Sequence, residues 1–110
     1  MKFMCLAYLD RDMTPGADAA AQYPPLGQAM HQAGVYIDMG RYGARSESKT
    51  VRVTDGTSEV VDGPPSIDGG DSSSPIAYFL VDCDSIDDAL GWAARIPAAT
   101  YGSIEVRPVH

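Results

Sequence analysis

The first apolar stretch of the chain does most to limit its fold. Residues 3–9 read FMCLAYL between Lys2 and Asp10. A strand that is apolar at nearly every position is typical of the middle of a sheet covered on both faces. The stretch is too short to span a membrane and lacks a small-residue cleavage site, so we expect neither a membrane anchor nor a signal peptide. The sequence therefore predicts a central strand in a cytoplasmic protein.

The rest of the chain alternates between strand and helix patterns. Pro24 and Pro25 suit the first turn of a helix. Asp55-Gly56 lies between two β-rich stretches and predicts a type I′ hairpin, because both residues tolerate positive φ. Ser85 is a suitable N-cap for a second helix. The predicted elements are, in order, strand 3–9, helix 25–34, strand 35–42, hairpin strands 50–54 and 57–61, strand 75–82, helix 86–96 and strand 103–109.

This order predicts an α+β protein, with a ferredoxin-like fold that carries an inserted β-hairpin, in a single domain spanning 1–110. Residues 62–75 (DGPPSIDGGDSSSP) belong to no element and contain three prolines, three glycines and four serines. Loops of this length are uncommon in small domains and are usually either mobile or functional. The segment is therefore either a flexible, solvated loop or a lid over a pocket.

Charge and motif content argue against several functions. Fifteen acidic and eight basic residues give a net charge of −7, which disfavours nucleic acids and anionic membranes as partners. Cys5 and Cys83 form neither a CxxC pair nor a His/Cys cluster, so we expect two buried thiols in a reducing compartment. The sequence has no GxGxxG, P-loop, GxSxG or HExxH motif. We therefore expect no cofactor and no metal.

Several stretches together resemble the YCII-related proteins, in particular their DGPF branch. They read MKFMCLAYLD, QAGVYIDMG, TVRVTDGTSEVVDGP, AYFLVDCDSIDDALGWAARIP and GSIEVRPV, with consistent spacing over nearly the whole chain. The DGPF tetrapeptide stands here as Asp62-Gly63-Pro64-Pro65, and the first-helix histidine of YCII-type members falls near Tyr23. The resemblance implies a homodimer in which two ferredoxin-like sheets pack face to face as a dimeric α+β barrel, and chemistry on small organic molecules.

Two side chains are suited to acid–base chemistry. Asp38 alternates with the apolar positions of the second strand, on the side that it shares with Tyr36 and Gly40. It is either half of an ion pair, for example with Arg41, or a catalytic carboxylate. His31 lies outside the apolar face of the first helix, so it is either solvent-exposed or a group that moves protons.

Tyrosine is the most abundant aromatic residue, with six tyrosines against two phenylalanines and one tryptophan. Tyrosine suits either a core whose hydroxyls lie at its rim or a pocket for a polar aromatic ligand. Asp62 either begins a turn or faces a ligand. The candidate ligand-binding residues are Tyr8, Tyr36, Arg41, Tyr42 and Tyr78.

These residues favour a cofactor-independent enzyme that acts on a compact organic metabolite by elimination, isomerisation or cyclisation. Asp38 is the expected base, His31 a proton shuttle, Tyr23 a hydroxyl acid, and Asp62 an orienting group at the pocket edge. The alternative is a non-catalytic dimer that binds a small ligand or serves as a regulatory accessory protein. Conversion of a bound compound distinguishes the first function from the second.

Overall fold

The computed structural model describes residues 1–9, 20–65 and 75–110. The chain divides into two compact units, one of residues 1–41 and 75–110 and one of residues 42–74, and each unit is described by itself. The helices and strands are β1 (Lys2–Leu9), α1 (Tyr23–Gln32), β2 (Tyr36–Arg41), β3 (Lys49–Thr54), β4 (Thr57–Asp62), β5 (Ala77–Asp82), α2 (Ile86–Ala93) and β6 (Gly102–Val109). The predicted order of strands and helices is confirmed, and the protein is a small α+β protein with antiparallel sheets. The prediction of a single domain stays a prediction.

The larger unit is built on a four-stranded antiparallel sheet in the order β2-β5-β1-β6. Alternate side chains of β1 and β5 point to the same side as α1 and α2, and we call this side the helix face. Its centre consists of fully buried apolar residues, because side chains along a strand alternate between the two faces of a sheet. The helix-face residues of these two strands are Phe3, Cys5, Ala7, Ala77, Phe79 and Val81.

β1 lies at the centre of the sheet as predicted, and among the described residues of the larger unit the helices cover one of its two faces. Phe3 and Cys5 are fully buried, whereas Met4, Leu6 and Tyr8 on the other side are half-buried. The apolar run predicted cover on both faces, and helices supply it on one. An apolar strand with one uncovered face is incompletely buried in a single chain.

The two helices differ from their predicted limits in ways that local chemistry explains. α1 begins at Tyr23, two residues earlier than predicted, because Pro24 and Pro25 both fit into its first turn, where a missing N–H costs nothing. In α2 the Ser85 hydroxyl accepts the Asp88 N–H at 3.2 Å, which confirms the predicted N-cap. α2 ends at Ala93, three residues earlier than predicted. Of the apolar residues over the predicted range, Ala89, Ala93 and Ile96 are buried, but Ile86 and Leu90 are 44% and 48% exposed.

The smaller unit contains the β3–β4 hairpin. Asp55 and Gly56 have φ of 51° and 80°, as the predicted type I′ turn requires. At the open end of the hairpin, Lys49 binds Asp62 with an N–O distance of 2.6 Å. Of the predicted loop 62–75, residues 66–74 lie outside the described residues, so its two interpretations stay open.

Candidate functional site

The side of the large sheet opposite the helices, which we call the open face, contains the strongest cluster of predicted site residues. Neighbouring strands place their side chains in register across it. One row consists of Asp38, Leu80, Met4 and Arg107, and the next consists of Gly40, Tyr78, Leu6 and Glu105, each from β2, β5, β1 and β6 in turn. The middle of each row is half-buried, with Leu80 and Met4 in one and Tyr78 and Leu6 in the other, while the outer strands β2 and β6 carry charged groups.

Asp38 and Tyr78 form a hydrogen-bonded couple at one side of the open face. The Tyr78 hydroxyl donates to Asp38 Oδ2 at 2.9 Å. The ring of Tyr78 lies across Gly40, where an added Cβ would stand only 2.5 Å from the ring carbon Cε1. Because any larger residue at this position would displace the ring, Gly40 permits the phenol to reach the carboxylate.

A β-bulge in β2 determines which residues share a face with Asp38. Tyr36 is in register with Val81 and Asp38 with the adjacent Leu80, so Ile37 is the extra residue. Simple alternation predicts Tyr36 and Asp38 on the same side, and this prediction is wrong. The bulge turns Tyr36 to the helix face and leaves Asp38 on the open face.

A second hydrogen-bonded network lies across the sheet from Asp38. Glu105 accepts the Tyr8 hydroxyl on Oε1 at 3.0 Å and the Arg107 Nε–H on Oε2 at 2.7 Å. The hydrogen bond from Arg107, and then that from Tyr8, lower the pKa of the Glu105 carboxyl, so it stays ionised at lower pH than usual. Three strand spacings of about 4.8 Å separate β2 from β6, so the backbones of Asp38 and Arg107, at the two ends of one row, lie about 14 Å apart.

The apolar residues Met4, Leu6 and Leu80 form a floor between the two networks. Each of the three is half-buried in the chain. A floor of this kind suits the flat, apolar part of an organic molecule, and the carboxylates and phenols at its sides supply hydrogen bonds and a proton acceptor. The open face therefore combines an apolar surface with acid–base groups.

His31 and Tyr36 are on the helix side of the sheet, away from Asp38. The His31 ring lies against the Tyr36 ring of β2, with centroids 4.0 Å apart. The structure thus brings these two predicted residues together, but separates both of them from Asp38 by the sheet.

Tyr23 and Arg41 are also on the helix side. The Tyr23 ring stacks on Phe79 with centroids 6.1 Å apart. Burial, followed by a hydrogen bond with the Tyr101 phenol, raises the pKa of Tyr23 to about 12, and the positive charge of Arg41 acts weakly in the opposite direction. Tyr23 therefore stays a neutral phenol at physiological pH and links α1 to Tyr101.

The remaining two predicted site residues belong to the smaller unit. Asp62 is paired with Lys49, as described above, and the side chain of Tyr42 is exposed. Asp62 ends β4, and Gly63 follows with φ of 92°, as expected of a turn at this point.

An acidic cleft of about 480 Å³ lies where β5 leads into α2. Asp87 and Asp88 lie in the first turn of α2, where the positive end of the helix dipole stabilises carboxylates. The Arg95 guanidinium lies 4.7 Å from the centre of the Trp92 ring and occupies the aromatic face of the cleft. These contacts stabilise the helix, so the cleft is a weaker candidate than the open face.

Two important open-face residues, Glu105 and Arg107, were not predicted as site residues. They alternate with Ile104 and Val106, so the period of a strand places both on one face. The contact between Glu105 and Tyr8 joins positions 97 residues apart, and no local pattern indicates that register.

Comparison with protein-family models gives no match for the sequence. Comparison with curated proteins gives no significant match. Among the residues that the structure describes, no helix is long and apolar enough to cross a membrane. Within the same ranges, no three His, Cys, Asp or Glu side chains are grouped as a metal site requires.

Proposed function

We propose that the protein is a homodimeric, cofactor-independent enzyme that uses Asp38 for acid–base chemistry on a compact organic metabolite. The observation that carries this proposal is the Asp38–Tyr78 hydrogen bond of 2.9 Å beside the apolar floor of the open face. A carboxylate that accepts a phenol hydrogen bond is held in one orientation, and positioned bases of this kind accelerate proton transfer.

The fold proposal is a ferredoxin-like sheet with an inserted hairpin that pairs with a second copy as a dimeric α+β barrel. The strand order β2-β5-β1-β6, with β3 and β4 in a separate hairpin, supports the ferredoxin-like part. The half-buried apolar residues of the open face support the dimer. Covering Met4, Leu6 and Leu80 removes apolar surface from water and so lowers the free energy. The resemblance to YCII-related proteins points to the same arrangement.

The proposed reaction begins with a proton on a carbon next to a carbonyl group. Asp38 takes this proton, and the electron pair of the C–H bond moves toward the carbonyl to give an enolate. In an isomerisation the protonated Asp38 returns the proton to another carbon of the same molecule. In an elimination a β-hydroxyl leaves, and the proton held by Asp38 completes the departing water. Tyr78 holds the carboxylate in place throughout.

The substrate also needs groups that bind its polar end. The Tyr8–Glu105–Arg107 network provides hydrogen-bonding groups about 14 Å from β2, on the other side of the apolar floor. His31 and Tyr23, on the helix face, have no part in this mechanism.

Turnover of small ketones tests the proposal. The probes are a panel of cyclic β,γ-unsaturated ketones and β-hydroxyketones, whose isomerisation or elimination yields a conjugated enone that absorbs ultraviolet light. We expect Asp38→Asn to lower turnover about 100-fold or more, and Tyr78→Phe to lower it less. Asp84→Asn, at an exposed aspartate away from the open face, serves as the matched control and should keep full turnover. Equal turnover by wild type and Asp38→Asn would remove Asp38 from the mechanism.

The competing function is a dimer that binds a small ligand without converting it. It is favoured by the Glu105 network, in which Tyr8 and Arg107 donate hydrogen bonds to the carboxylate of Glu105 and form a polar group at the side of the apolar floor. Thermal stabilisation by a compound that is recovered unchanged would support binding alone, whereas recovery of a product would support the enzyme.

A further inference from the structure

One face of the β3–β4 hairpin contains a cavity of about 270 Å³. Six residues line it: Thr50, Arg52, Glu59, Val61, Pro64 and Pro65. The first four form two neighbouring cross-strand pairs, and their side chains share one face because alternate residues of a strand point to the same side. All six residues belong to the smaller unit, so the cavity is built from that unit alone.

The two prolines that form one wall of the cavity follow a tightly anchored turn. Gly63 has φ of 92° and redirects the chain after β4. Its N–H donates to the Ser48 carbonyl at 2.8 Å, and its own carbonyl accepts the Thr50 hydroxyl at 2.7 Å. The pair of Lys49 and Asp62, with an N–O distance of 2.6 Å, holds the same end of the hairpin. Because proline also has a fixed φ, the wall is formed before a ligand arrives.

Arg52 and Glu59 have opposite charges and face each other, but they are not paired. Residues directly opposite on one face of an antiparallel pair have Cβ atoms about 5 Å apart, which is close enough for an ion pair. Among the residues that the structure describes, neither side chain takes part in an ion pair or a hydrogen bond. The cavity therefore presents a cation and an anion side by side, next to the apolar groups of Val61 and Pro64.

We propose that this cavity binds a small zwitterion, an α-amino acid with an apolar side chain. Arg52 holds the carboxylate of the ligand, and Glu59 holds its ammonium group. The planar guanidinium of arginine matches a carboxylate, and hydrogen bonds between charged groups are stronger than those between neutral groups. The apolar side chain of the ligand lies against Val61 and Pro64. The site is separate from the chemistry proposed for the open face.

The lining of the cavity selects against other small ligands. Glu59 repels a simple anion and Arg52 repels a simple cation, so the pair favours a molecule that carries both charges. The Thr50 hydroxyl already donates to the carbonyl of Gly63. The rest of the lining is apolar, which favours an apolar side chain over a polar one.

Titration of the isotope-labelled protein with L-valine, followed by the amide resonances of β3 and β4, tests the site. We expect saturable shifts in the hairpin with a dissociation constant on the order of 1 mM, as suits so small a ligand. Isobutylamine and isovalerate have the same apolar group but only one charge each. Both should bind about 10-fold or more weakly than valine, because each leaves one charged side chain of the cavity without a partner.

Neutral variants identify the two charged residues. Arg52→Gln and Glu59→Gln should each weaken valine binding about 10-fold or more, since each removes one charge-assisted contact. Arg45→Gln and Glu47→Gln make the same changes in charge at exposed positions of the smaller unit that do not line the cavity, and should keep the wild-type affinity. The comparison of the three ligands uses wild type alone, so the test remains decisive if a variant fails to fold.

Each contrary outcome overturns the proposed site. The first is the absence of saturable shifts at about 50 mM valine, a concentration well above the expected dissociation constant. The second is binding of isobutylamine or isovalerate as tight as that of valine, and the third is unchanged affinity in both cavity variants. Shifts confined to the strands of the large sheet would also contradict it. None of these results bears on the turnover of ketones by Asp38, so the two proposals can fail separately.

Discussion

The two faces of the large sheet use the same strands for different purposes. On the helix face, Phe3, Cys5 and Phe79 are almost completely buried under α1 and α2. On the open face, Met4 and Leu80 are half-buried, and hydrogen-bonded carboxylates and phenols lie at the sides. The comparison teaches that the apolar residues of the helix face are buried within the chain, whereas the open face sets hydrogen-bonded polar groups beside apolar side chains that are only half-buried.

Truncation of one residue on each face tests this division with the largest expected effect. We expect Phe79→Ala to lower the free energy of unfolding by about 3–5 kcal/mol, because it leaves a cavity in the buried core. The adjacent Leu80→Ala should cost about 1 kcal/mol in dilute protein, because Leu80 is only half-buried. Urea unfolding at several protein concentrations measures both losses.

The dependence on concentration sharpens the same comparison. The loss caused by Leu80→Ala should grow as protein concentration rises, since a dimer interface stabilises the folded state by mass action. The loss caused by Phe79→Ala should stay constant. Equal losses for the two variants at every concentration would show that the faces do not differ in this way.

A side chain at position 40 should lower the free energy of unfolding by less than Phe79→Ala does. Gly40→Ala forces the Tyr78 ring aside, so we expect a loss of about 1 kcal/mol, the usual worth of a hydrogen bond, and slower turnover. Gly91→Ala is the matched control, because a Cβ there meets nothing within 4 Å and alanine favours a helix. Thermal and urea unfolding should show destabilisation in the first variant and slight stabilisation in the second.

A double-mutant cycle identifies the cause of the Gly40 effect. In a Tyr78→Ala background the ring is absent, so Gly40→Ala should then cost almost nothing. A cost that persists without the ring would assign the effect to the backbone of β2 instead.

Alkaline titration should report the buried environment of the helix face. The pKa of Tyr23 is raised to about 12, above the value of about 10 expected in an unfolded chain. Its contribution to stability is therefore complete below about pH 10 and is lost as the pH rises toward about 12. Ultraviolet absorbance of the phenolate and unfolding curves above pH 9 measure this, and Tyr23→Phe should remove that part of the pH dependence. An ordinary tyrosine titration at this position would contradict the described burial.

Acid titration tests the open face, where the pKa of Glu105 is lowered rather than raised. Its effect on stability should be the smallest of the series. Arg107 and Tyr8 lower the pKa of Glu105, so its contribution to stability is present above about pH 4.3 and is lost as the pH falls through the lowered folded value. Arg107→Gln should move the Glu105 titration upward more than Tyr8→Phe does. The carboxyl carbon resonance of Glu105 measures the shift, and an unchanged titration in both variants would exclude the network in solution.

Local signals explain how much of the fold could be predicted from the sequence. The Asp55-Gly56 turn and the Ser85 cap depend on a few neighbouring residues, and both are confirmed. The bulge at Ile37 depends on the pairing of β2 with β5, so period-two alternation misplaced Tyr36. The prediction that β1 is covered on both faces followed from its composition, which does not say whether the same chain or a second one supplies the cover.

The candidate site was only partly accessible to sequence reasoning for the same reason. Asp38, Tyr8 and Tyr78 are residue types suited to chemistry or binding, and the structure places all three on the open face. Their partners depend on register: Gly40 matters because the Tyr78 ring lies over it, and Glu105 because β6 pairs with β1. No pattern within a strand carries that information.

Sedimentation velocity of wild type and Leu80→Asp tests the central claim most directly. The account predicts that wild type sediments as a dimer, and that a carboxylate in the middle of the open face yields a folded monomer that no longer converts the ketone probes. A monomeric wild type, or a Leu80→Asp variant that remains a fully active dimer, would contradict it.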